Sequence, residues 1–171
     1  LGPPMSAALG DSAVAIARRL GLTVTGGSGY TAVAAIEGLR KAAALMGLIL
    51  EEAAVLVLGA AEPLGSVCTQ ILARDGVNYL TLVDSDSARL DLLSRRVLYD
   101  CGVACKVSMQ VSRAVARADL VIVAGGAAGA ALQPPDLKPG AVVCNLGAAD
   151  ELSLSIINRR PDVMAFDDAV V

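Results

Sequence analysis

A loop with two glycines, between an aliphatic run and a helical pattern, is the feature of the sequence best suited to bind a ligand. Residues 53–58 (Ala-Ala-Val-Leu-Val-Leu) are continuously aliphatic, and Gly59 follows them. Gly65 lies a few residues later, in a segment that opens with Pro63 and reads as a helix. Glycines here permit a tight turn and close packing of the helix on its strand. Because amides at a helix N-terminus attract phosphate, the loop predicts a dinucleotide pyrophosphate site.

The loop departs from the dinucleotide-binding pattern Gly-x-x-Gly-x-x-Gly at its middle position, which is Glu62. A carboxylate there would compete with a pyrophosphate, and its Cβ would restrict the approach of the backbone. Two arrangements stay open. The Glu62 side chain points to solvent and leaves the loop amides free, or it caps the helix and occupies the anion site. A domain of this shape that binds nothing is a further alternative.

An acid at the end of the second strand pattern bears on which dinucleotide would bind. Asp84 directly follows residues 79–83. An acid at this place accepts hydrogen bonds from both ribose hydroxyls and repels a 2′-phosphate. Asp86, and the absence of a nearby arginine before Arg89, act in the same direction, so the sequence favours NAD over NADP. The alternative is that Asp84 is a solvated turn acid that caps the next helix.

A second stretch of small residues follows the fourth strand pattern, at Gly125 and Gly126. Small side chains permit close approach, so this stretch could lie beneath a nicotinamide or its ribose. It could equally be an Ala/Gly-rich turn without a ligand. The candidate cofactor-binding residues are Gly59, Ala60, Ala61, Leu64, Gly65, Asp84, Ser85, Gly125 and Gly126.

These candidates need a sheet to position them, and strand and helix patterns alternate from residue 53 onward. A doubly wound, parallel, Rossmann-like α/β fold follows, with about six strands and helices on both faces. Residues 1–47 are expected to form a helical segment packing on the sheet, and residues 48–171 the dinucleotide-binding domain. The expected strands are 53–58, 79–83, 104–110, 119–124, 141–146 and 163–166; the expected helices are 6–20, 30–46, 63–74, 87–100, 112–118 and 151–158.

Composition limits the classes of partner. The 171 residues suit one domain, and 55% are hydrophobic but only 2% aromatic, so aliphatic side chains build the core. The net charge of −3, without a run of basic residues, argues against nucleic-acid or membrane-surface partners. Glu51 and Glu52 interrupt the most apolar window, which excludes a membrane span there. A cytoplasmic location is expected, because the first residues lack a signal-peptide charge pattern. Homodimerisation through apolar surface is a further expectation.

The sequence is poor in catalytic and metal-ligating side chains. It has no histidine, and its four cysteines form no Cys-x-x-Cys pair, so no metal site is expected and the thiols are expected to be reduced and mostly buried. General acid–base work would fall to a lysine, a tyrosine or a carboxylate. Tyr30, Lys41 and residues 167–168 (Asp-Asp) could edge the cleft, but the sequence assigns none of them a catalytic role.

Four stretches of the sequence form a recognisable set. They are 26–32 (Gly-Gly-Ser-Gly-Tyr-Thr-Ala), 57–60 (Val-Leu-Gly-Ala) with Gly65, 137–144 (Leu-Lys-Pro-Gly-Ala-Val-Val-Cys), and 162–163 (Asp-Val) leading to 170–171. Together they resemble the cofactor domain of long-chain acyl-[acyl-carrier-protein] reductases, and more widely the shikimate dehydrogenase-like NAD(P)-binding domains. The resemblance implies NADPH-dependent reduction of a thioester through a cysteine-bound acyl intermediate.

The chain departs from these reductases at two functional positions. The nucleophile would fall near Gly140, which has no thiol, and the nearby Cys144 lies within a strand pattern, where core packing is the stronger interpretation. Asp84 replaces the family's usual basic residue. Shikimate dehydrogenase-like enzymes keep their substrate-binding and acid–base residues in a separate domain.

Two functions are therefore expected of the chain. One is the NAD(P)-binding domain of an oxidoreductase, which transfers hydride to or from a small carbonyl or acyl thioester that another domain presents. The alternative is a non-catalytic module that has lost dinucleotide binding and serves assembly or sensing.

Overall fold

The computed structural model describes residues 28–125, 132–147 and 150–167. Over these residues helices and strands alternate, as the sequence patterns predict. The elements, in chain order, are α1 (Ser28–Leu45), β1 (Ala54–Leu58), α2 (Pro63–Arg74), β2 (Tyr79–Val83), α3 (Ser87–Cys101), β3 (Lys106–Ser108), α4 (Val111–Val115), β4 (Leu120–Val123), a 3₁₀ turn (Pro134–Asp136), β5 (Val142–Asn145), α5 (Asp150–Arg159) and β6 (Met164–Asp167).

The six strands form one sheet in the order β3-β2-β1-β4-β5-β6, and every neighbouring pair is parallel. The predicted doubly wound parallel α/β fold is therefore confirmed. The chain first moves outward from β1 to β3 and then returns to place β4 on the other side of β1. At such a reversal the loops that leave the carboxyl ends of two adjacent strands diverge and open a crevice. That crevice lies between the loops after β1 and β4.

The central strands β1, β4 and β5 are buried on both faces of the sheet, which explains why they read as continuous aliphatic runs. Successive residues of β1, such as Val57 and Leu58, point to opposite faces and belong to two separate hydrophobic clusters. The cluster of Val57 is covered by α1, α2 and α3, and that of Leu58 by α4, the 3₁₀ turn and α5. Helix α1 buries Ala32, Ala35, Ile36 and Leu39, an i, i+3, i+4, i+7 stripe.

The predicted bounds agree with the structure at α2 and β2 and differ most around β3. The third strand is three residues long instead of seven. It ends at Ser108 because Ser108 Oγ accepts a hydrogen bond from Gln110 N and turns the chain. The helix expected over 112–118 is α4, which ends at Val115. The helix expected over 6–20 lies outside the described residues. The domain boundary after residue 47 stays a prediction, although α1 shares its hydrophobic cluster with the sheet.

Asp119 joins three segments at the amino-terminal edge of the sheet. Its carboxylate accepts a hydrogen bond from Ala54 N at 2.9 Å and pairs with the Lys138 ammonium. Partial burial disfavours the charged carboxylate, but the hydrogen bonds from Lys138 and Ala54 outweigh it and lower the pKa of Asp119 below its ordinary value. Asp119 therefore stabilises the fold above pH 4, and this contribution is lost as the pH falls through its lowered pKa.

We expect Asp119→Ala to lower the free energy of unfolding at pH 7 by about 1–3 kcal/mol, because Ala54 N loses a charged acceptor. The difference from wild type should shrink as the pH falls below about 4 and through the lowered pKa of wild-type Asp119. Urea denaturation at a series of pH values measures both effects. Asp100→Ala is the control, since Asp100 is exposed and has no ion pair among the described residues. A difference that does not shrink as the pH is lowered through the acid range would contradict this role.

Candidate functional site

Three loops meet at the carboxyl edge of the sheet, beside the crevice. A Cβ built on Gly125, after β4, would lie 3.5 Å from the Cγ of Glu62, in the loop after β1. A Cβ on Gly147, after β5, would lie 3.4 Å from the carbonyl oxygen of Gly125. The loops after β1, β4 and β5 therefore lie close to one another at these two glycines.

The turn after β1 is fixed by its own backbone. Gly59 has a φ of +79°, in the left-handed region that favours glycine. Its N–H and that of Ala60 both donate to the carbonyl of Val83, at 2.8 and 3.2 Å, and bind the turn to the end of β2. Glu62 N donates to Gly59 O at 3.1 Å and closes the turn. The prediction of a tight turn at Gly59 is confirmed.

Gly65 allows helix α2 to begin directly on this turn. A Cβ at Gly65 would stand 2.2 Å from the carbonyl oxygen of Gly59 and 2.9 Å from the Cα of Ala60. Both neighbours are backbone atoms that cannot rotate away, so only glycine fits. The close packing of helix on strand that the sequence predicts at Gly65 is confirmed.

The N-terminus of α2 presents two free amides. Pro63 has no N–H, and Ser66 N donates to Glu62 O within the first turn of the helix. Ala61 N donates to Asp84 Oδ2 at 3.0 Å. Among the described residues no acceptor lies on the amides of Leu64 and Gly65, which are therefore left at the positive end of a twelve-residue helix. Two such amides and the helix dipole form an anion-binding position.

Glu62 does not occupy that position. It is the N-cap residue of α2, but its carboxylate makes no capping hydrogen bond, and the side chain is exposed and leans towards Gly125. The alternative in which Glu62 caps the helix is therefore wrong, and the solvent-directed arrangement is the one observed. The carboxylate still borders the crevice, so it adds negative charge there.

Asp84 connects β2 to the loop after β1. Its Oδ2 accepts from Ala61 N at 3.0 Å, and its Oδ1 accepts from Ser85 N at 2.7 Å and from Asp86 N at 3.3 Å. One alternative from the sequence was that Asp84 caps α3, and this is wrong. The cap is Asp86, whose Oδ1 accepts from Arg89 N at 3.0 Å. The sequence could not distinguish them, because both acids lie just before the helix.

The other predicted cofactor-binding residues lie around these groups. Ala60 is fully buried beneath the turn, Leu64 packs against the hydrophobic cluster under α1, and Ser85 is exposed at the end of β2. Gly125 faces Glu62 across the crevice. Gly126 lies outside the described residues.

A buried polar network under the loop after β5 was not predicted. Asn145 Nδ2 donates to Asp167 Oδ1 at 2.9 Å, and Ser153 Oγ donates to the same oxygen. Asn145 Oδ1 in turn accepts from Gly147 N at 3.1 Å and so fixes the start of the loop. Asn145 and Ser153 are almost completely buried. The only signal in the sequence was a polar residue closing the aliphatic run of β5.

Two arginines beside the anion position were also missed. Arg89 and Arg96, on α3, border a pocket of about 160 Å³, together with Ala61 and Ser66 of the adjacent loop and helix. Asp86 lies 3.4 Å from Arg89 and offsets part of its charge. The sequence does not reveal that these arginines lie beside Ala61 and Ser66, because the two segments are far apart along the chain.

No reactive thiol borders the crevice. Cys144 is fully buried in β5, as expected, and none of the four cysteines forms a disulfide. Burial raises the pKa of Cys68 to about 12. Burial, with a smaller contribution from Cys101, raises the pKa of Cys105 to about 11. Thiols with such pKa values are poor nucleophiles at neutral pH.

The remaining polar candidates do not gather at the crevice. Tyr30 and Lys41 are exposed on α1, Asp167 belongs to the Asn145 network, and residue 168 lies outside the described part of the chain. Within the described ranges no group of three or more acidic or cysteine side chains is arranged to hold a metal ion. The same ranges contain no helix long and apolar enough to cross a membrane.

Comparison with known proteins identifies relatives in structure but not in sequence. No protein-family model and no curated protein sequence matches the chain. Quinate dehydrogenase from Corynebacterium glutamicum, in complex with NAD, is similar with a TM-score of 0.62 and 21% identity, over 78% of this chain and 50% of that protein. Shikimate 5-dehydrogenase from Listeria monocytogenes, in complex with shikimate and NAD, is similar with a TM-score of 0.58 and 14% identity, over 78% of this chain and 51% of that protein.

L-tryptophan dehydrogenase from Nostoc punctiforme gives a TM-score of 0.61 at 15% identity, over 82% of this chain and 41% of that one. The chain has a Rossmann fold. The likeness to shikimate dehydrogenase-like domains that the sequence indicated is thus confirmed at the level of the fold. The chain spans about half the length of the quinate and shikimate dehydrogenases that it matches.

We expect Gly65→Ala to lower the free energy of unfolding by about 1–3 kcal/mol, because the added methyl group forces α2 away from the turn. Gly29→Ala is the matched control, since Gly29 is also in the first turn of a helix and a Cβ there would meet nothing within 4 Å. Chemical denaturation of both variants measures the difference. Equal stability of the two variants would mean that the contact at Gly65 relaxes without cost.

Proposed function

We propose that the chain is the NAD(P)-binding domain of an oxidoreductase, and that a separate domain presents a small carbonyl or acyl thioester for hydride transfer. The observation that carries the proposal is the pair of acceptor-free amides of Leu64 and Gly65 at the N-terminus of α2. They stand where the strand order reverses, the place at which open parallel sheets bind ligands. Structural neighbours solved with NAD add support.

The residues present fit a dinucleotide. The amides of Leu64 and Gly65 would hold its pyrophosphate, and the missing side chain at Gly65 keeps this position open. Gly125, with the proposed Gly126, would lie beneath the nicotinamide half. A bound nicotinamide would supply or accept the hydride, and the role of this domain is to hold and orient it.

Asp84 would bind the adenosine ribose, but with less free capacity than an isolated carboxylate. A carboxylate offers about four acceptor positions, two on each oxygen. Oδ1 already accepts from the amides of Ser85 and Asp86 and from Ser85 Oγ at 3.4 Å, and Ala61 N uses one position on Oδ2. About one position remains, on Oδ2, so we propose that Asp84 accepts one ribose hydroxyl rather than both. Ser85, exposed beside it, would supply the second polar contact.

The same residues favour NAD over NADP. The carboxylate of Asp84 would face a 2′-phosphate and repel it. Arg89 and Arg96 oppose this effect, but Asp86 lies against Arg89. We therefore propose NAD as the preferred cofactor.

The second candidate function is a module that has lost its ligand and serves assembly or sensing, and Glu62 is the observation that favours it. Its carboxylate borders the proposed pyrophosphate position and would weaken binding. The two functions differ in one measurable property, the affinity for a dinucleotide.

The remaining features of the proposal concern the whole protein. A boundary after residue 47 would leave α1 as the segment that leads into the dinucleotide-binding domain. The substrate-binding and acid–base residues would belong to the domain that presents the substrate. A cytoplasmic location, a possible homodimer and the absence of nucleic-acid and membrane partners complete the proposal.

Calorimetric titration with NADH and NADPH in parallel tests the cofactor assignment. We expect micromolar affinity for NADH and at least about tenfold weaker binding of NADPH, because of the charge of Asp84. Asp84→Asn should reduce this preference, since it removes the charge and keeps one acceptor. Tighter binding of NADPH would overturn the role of Asp84, and no binding of either nucleotide would favour the module without a ligand.

Glu62→Gln tests the effect of the carboxylate at the crevice. We expect it to raise the affinity for NADH about three- to tenfold in low salt, and less at 0.5 M salt, because the repulsion of an exposed charge is screened. Glu52→Gln is the matched control, since Glu52 is exposed at the opposite edge of the sheet. An equal change in both variants would show a general charge effect instead of a local one.

A further inference from the structure

On the β1-β2-β3 side, the helices of the described residues leave one face of the sheet incompletely covered. The helix that should cover it, α4, has five residues and is about 7.5 Å long. Helices α2 and α3, on the opposite face, have twelve and fifteen residues. Tyr79 at the start of β2 remains 64% exposed as a result. A groove of about 480 Å³ lies there, which we name the β2–β3 groove.

The floor of the β2–β3 groove is formed by neighbouring side chains of three strands. Strand register pairs Tyr79 with Ala54 of β1, and Thr81 with Lys106 of β3, so these residues share one face. Arg113 and Arg117, in and just after α4, complete the wall. None of the candidate cofactor-binding residues lines this groove, so it is separate from the crevice.

The charges in the β2–β3 groove are all of one sign. Lys106, Arg113 and Arg117 line it, and its lining includes no aspartate or glutamate. Among the described residues none of these three cations has an ion pair. Asp119, next to the lining residue Ala118, is already neutralised by Lys138. In a chain with a net charge of −3, this concentration of unpaired positive charge favours an anionic occupant.

The shape of the groove selects a small ligand over an extended peptide. Its volume falls within the range of small-molecule sites. The edge strand β3 has only three residues, too few to pair with an added strand. Arginines bind phosphate with two parallel hydrogen bonds, and an exposed tyrosine ring offers a flat surface on which a planar group stacks.

We propose that the β2–β3 groove binds a nucleoside monophosphate or a similar organic phosphate. Arg113, Arg117 and Lys106 hold the phosphate, the base lies on the ring of Tyr79, and Thr81 and Ser108 donate hydrogen bonds to polar atoms of the ligand. This site lies on the face of the sheet opposite α2 and operates independently of the dinucleotide crevice.

Amide NMR spectra of the full chain titrated with GMP test the proposal. We expect saturable shifts at Thr81 and Val107 in the groove. Arg113→Ala/Arg117→Ala should weaken them at least about tenfold. The matched control, Arg74→Ala/Arg95→Ala, removes the same charge from exposed positions outside the groove and should change the affinity less than about twofold. Similar weakening in both double variants would overturn the proposal.

The location of the shifts separates this site from the proposed cofactor site. Shifts confined to Leu64 and Gly65 would overturn the groove and leave the dinucleotide proposal intact. Shifts confined to the groove are the expected result, and they leave the dinucleotide proposal to the NADH titration. No shift at either place at 10 mM GMP, a concentration about ten times a millimolar Kd, would also overturn the groove.

The contact with Tyr79 has its own test. Tyr79→Ala should weaken GMP binding about tenfold and leave inorganic pyrophosphate binding within about twofold, because only GMP has a base to stack. Equal effects on both ligands would exclude stacking. Tighter binding of a hexaglutamate peptide than of GMP would replace the organic phosphate with an acidic protein segment and so overturn the assignment.

Discussion

The contact between the start of α2 and the turn after β1 is the constraint on which the candidate site depends. Only glycine at position 65 lets the helix begin so close to the carbonyl of Gly59. That closeness brings the acceptor-free amides of Leu64 and Gly65 to the edge of β1. Hydrogen bonds from Gly59, Ala60 and Ala61 to the end of β2 then hold the turn in place. The anion-binding position is therefore a consequence of backbone packing.

Much of the fold follows from the sequence because burial and strand geometry leave a readable pattern. The aliphatic runs of β1 and β4 are buried on both faces, and the parallel sheet explains their lack of alternation. The region of β3 was predicted less well. Ser108 ends this strand early through a hydrogen bond to Gln110, a local competition that hydrophobic pattern does not report.

Some features of the candidate site could likewise be predicted from the sequence, and others could not. The roles of Gly59 and Gly65 follow from their places in the chain, because a tight turn and a close approach both require glycine. The bonding of Asp84, the exposed position of Glu62 and the network of Asn145, Ser153 and Asp167 depend on contacts between segments distant in sequence. Arg89 and Arg96 come beside Ala61 only when α3 packs next to α2. Such pairings are set by tertiary structure and leave no local signal.

The sheet provides two regions of different electrostatic character. The crevice combines two free amides with the acids Glu62 and Asp84, whereas all the charged side chains that line the β2–β3 groove are cations. A crystal structure of the chain with NADH tests the central assignment most directly. The account predicts a pyrophosphate oxygen about 3 Å from the amides of Leu64 and Gly65, and the adenosine ribose against Asp84. A dinucleotide bound elsewhere, with these amides still without an acceptor, would contradict it.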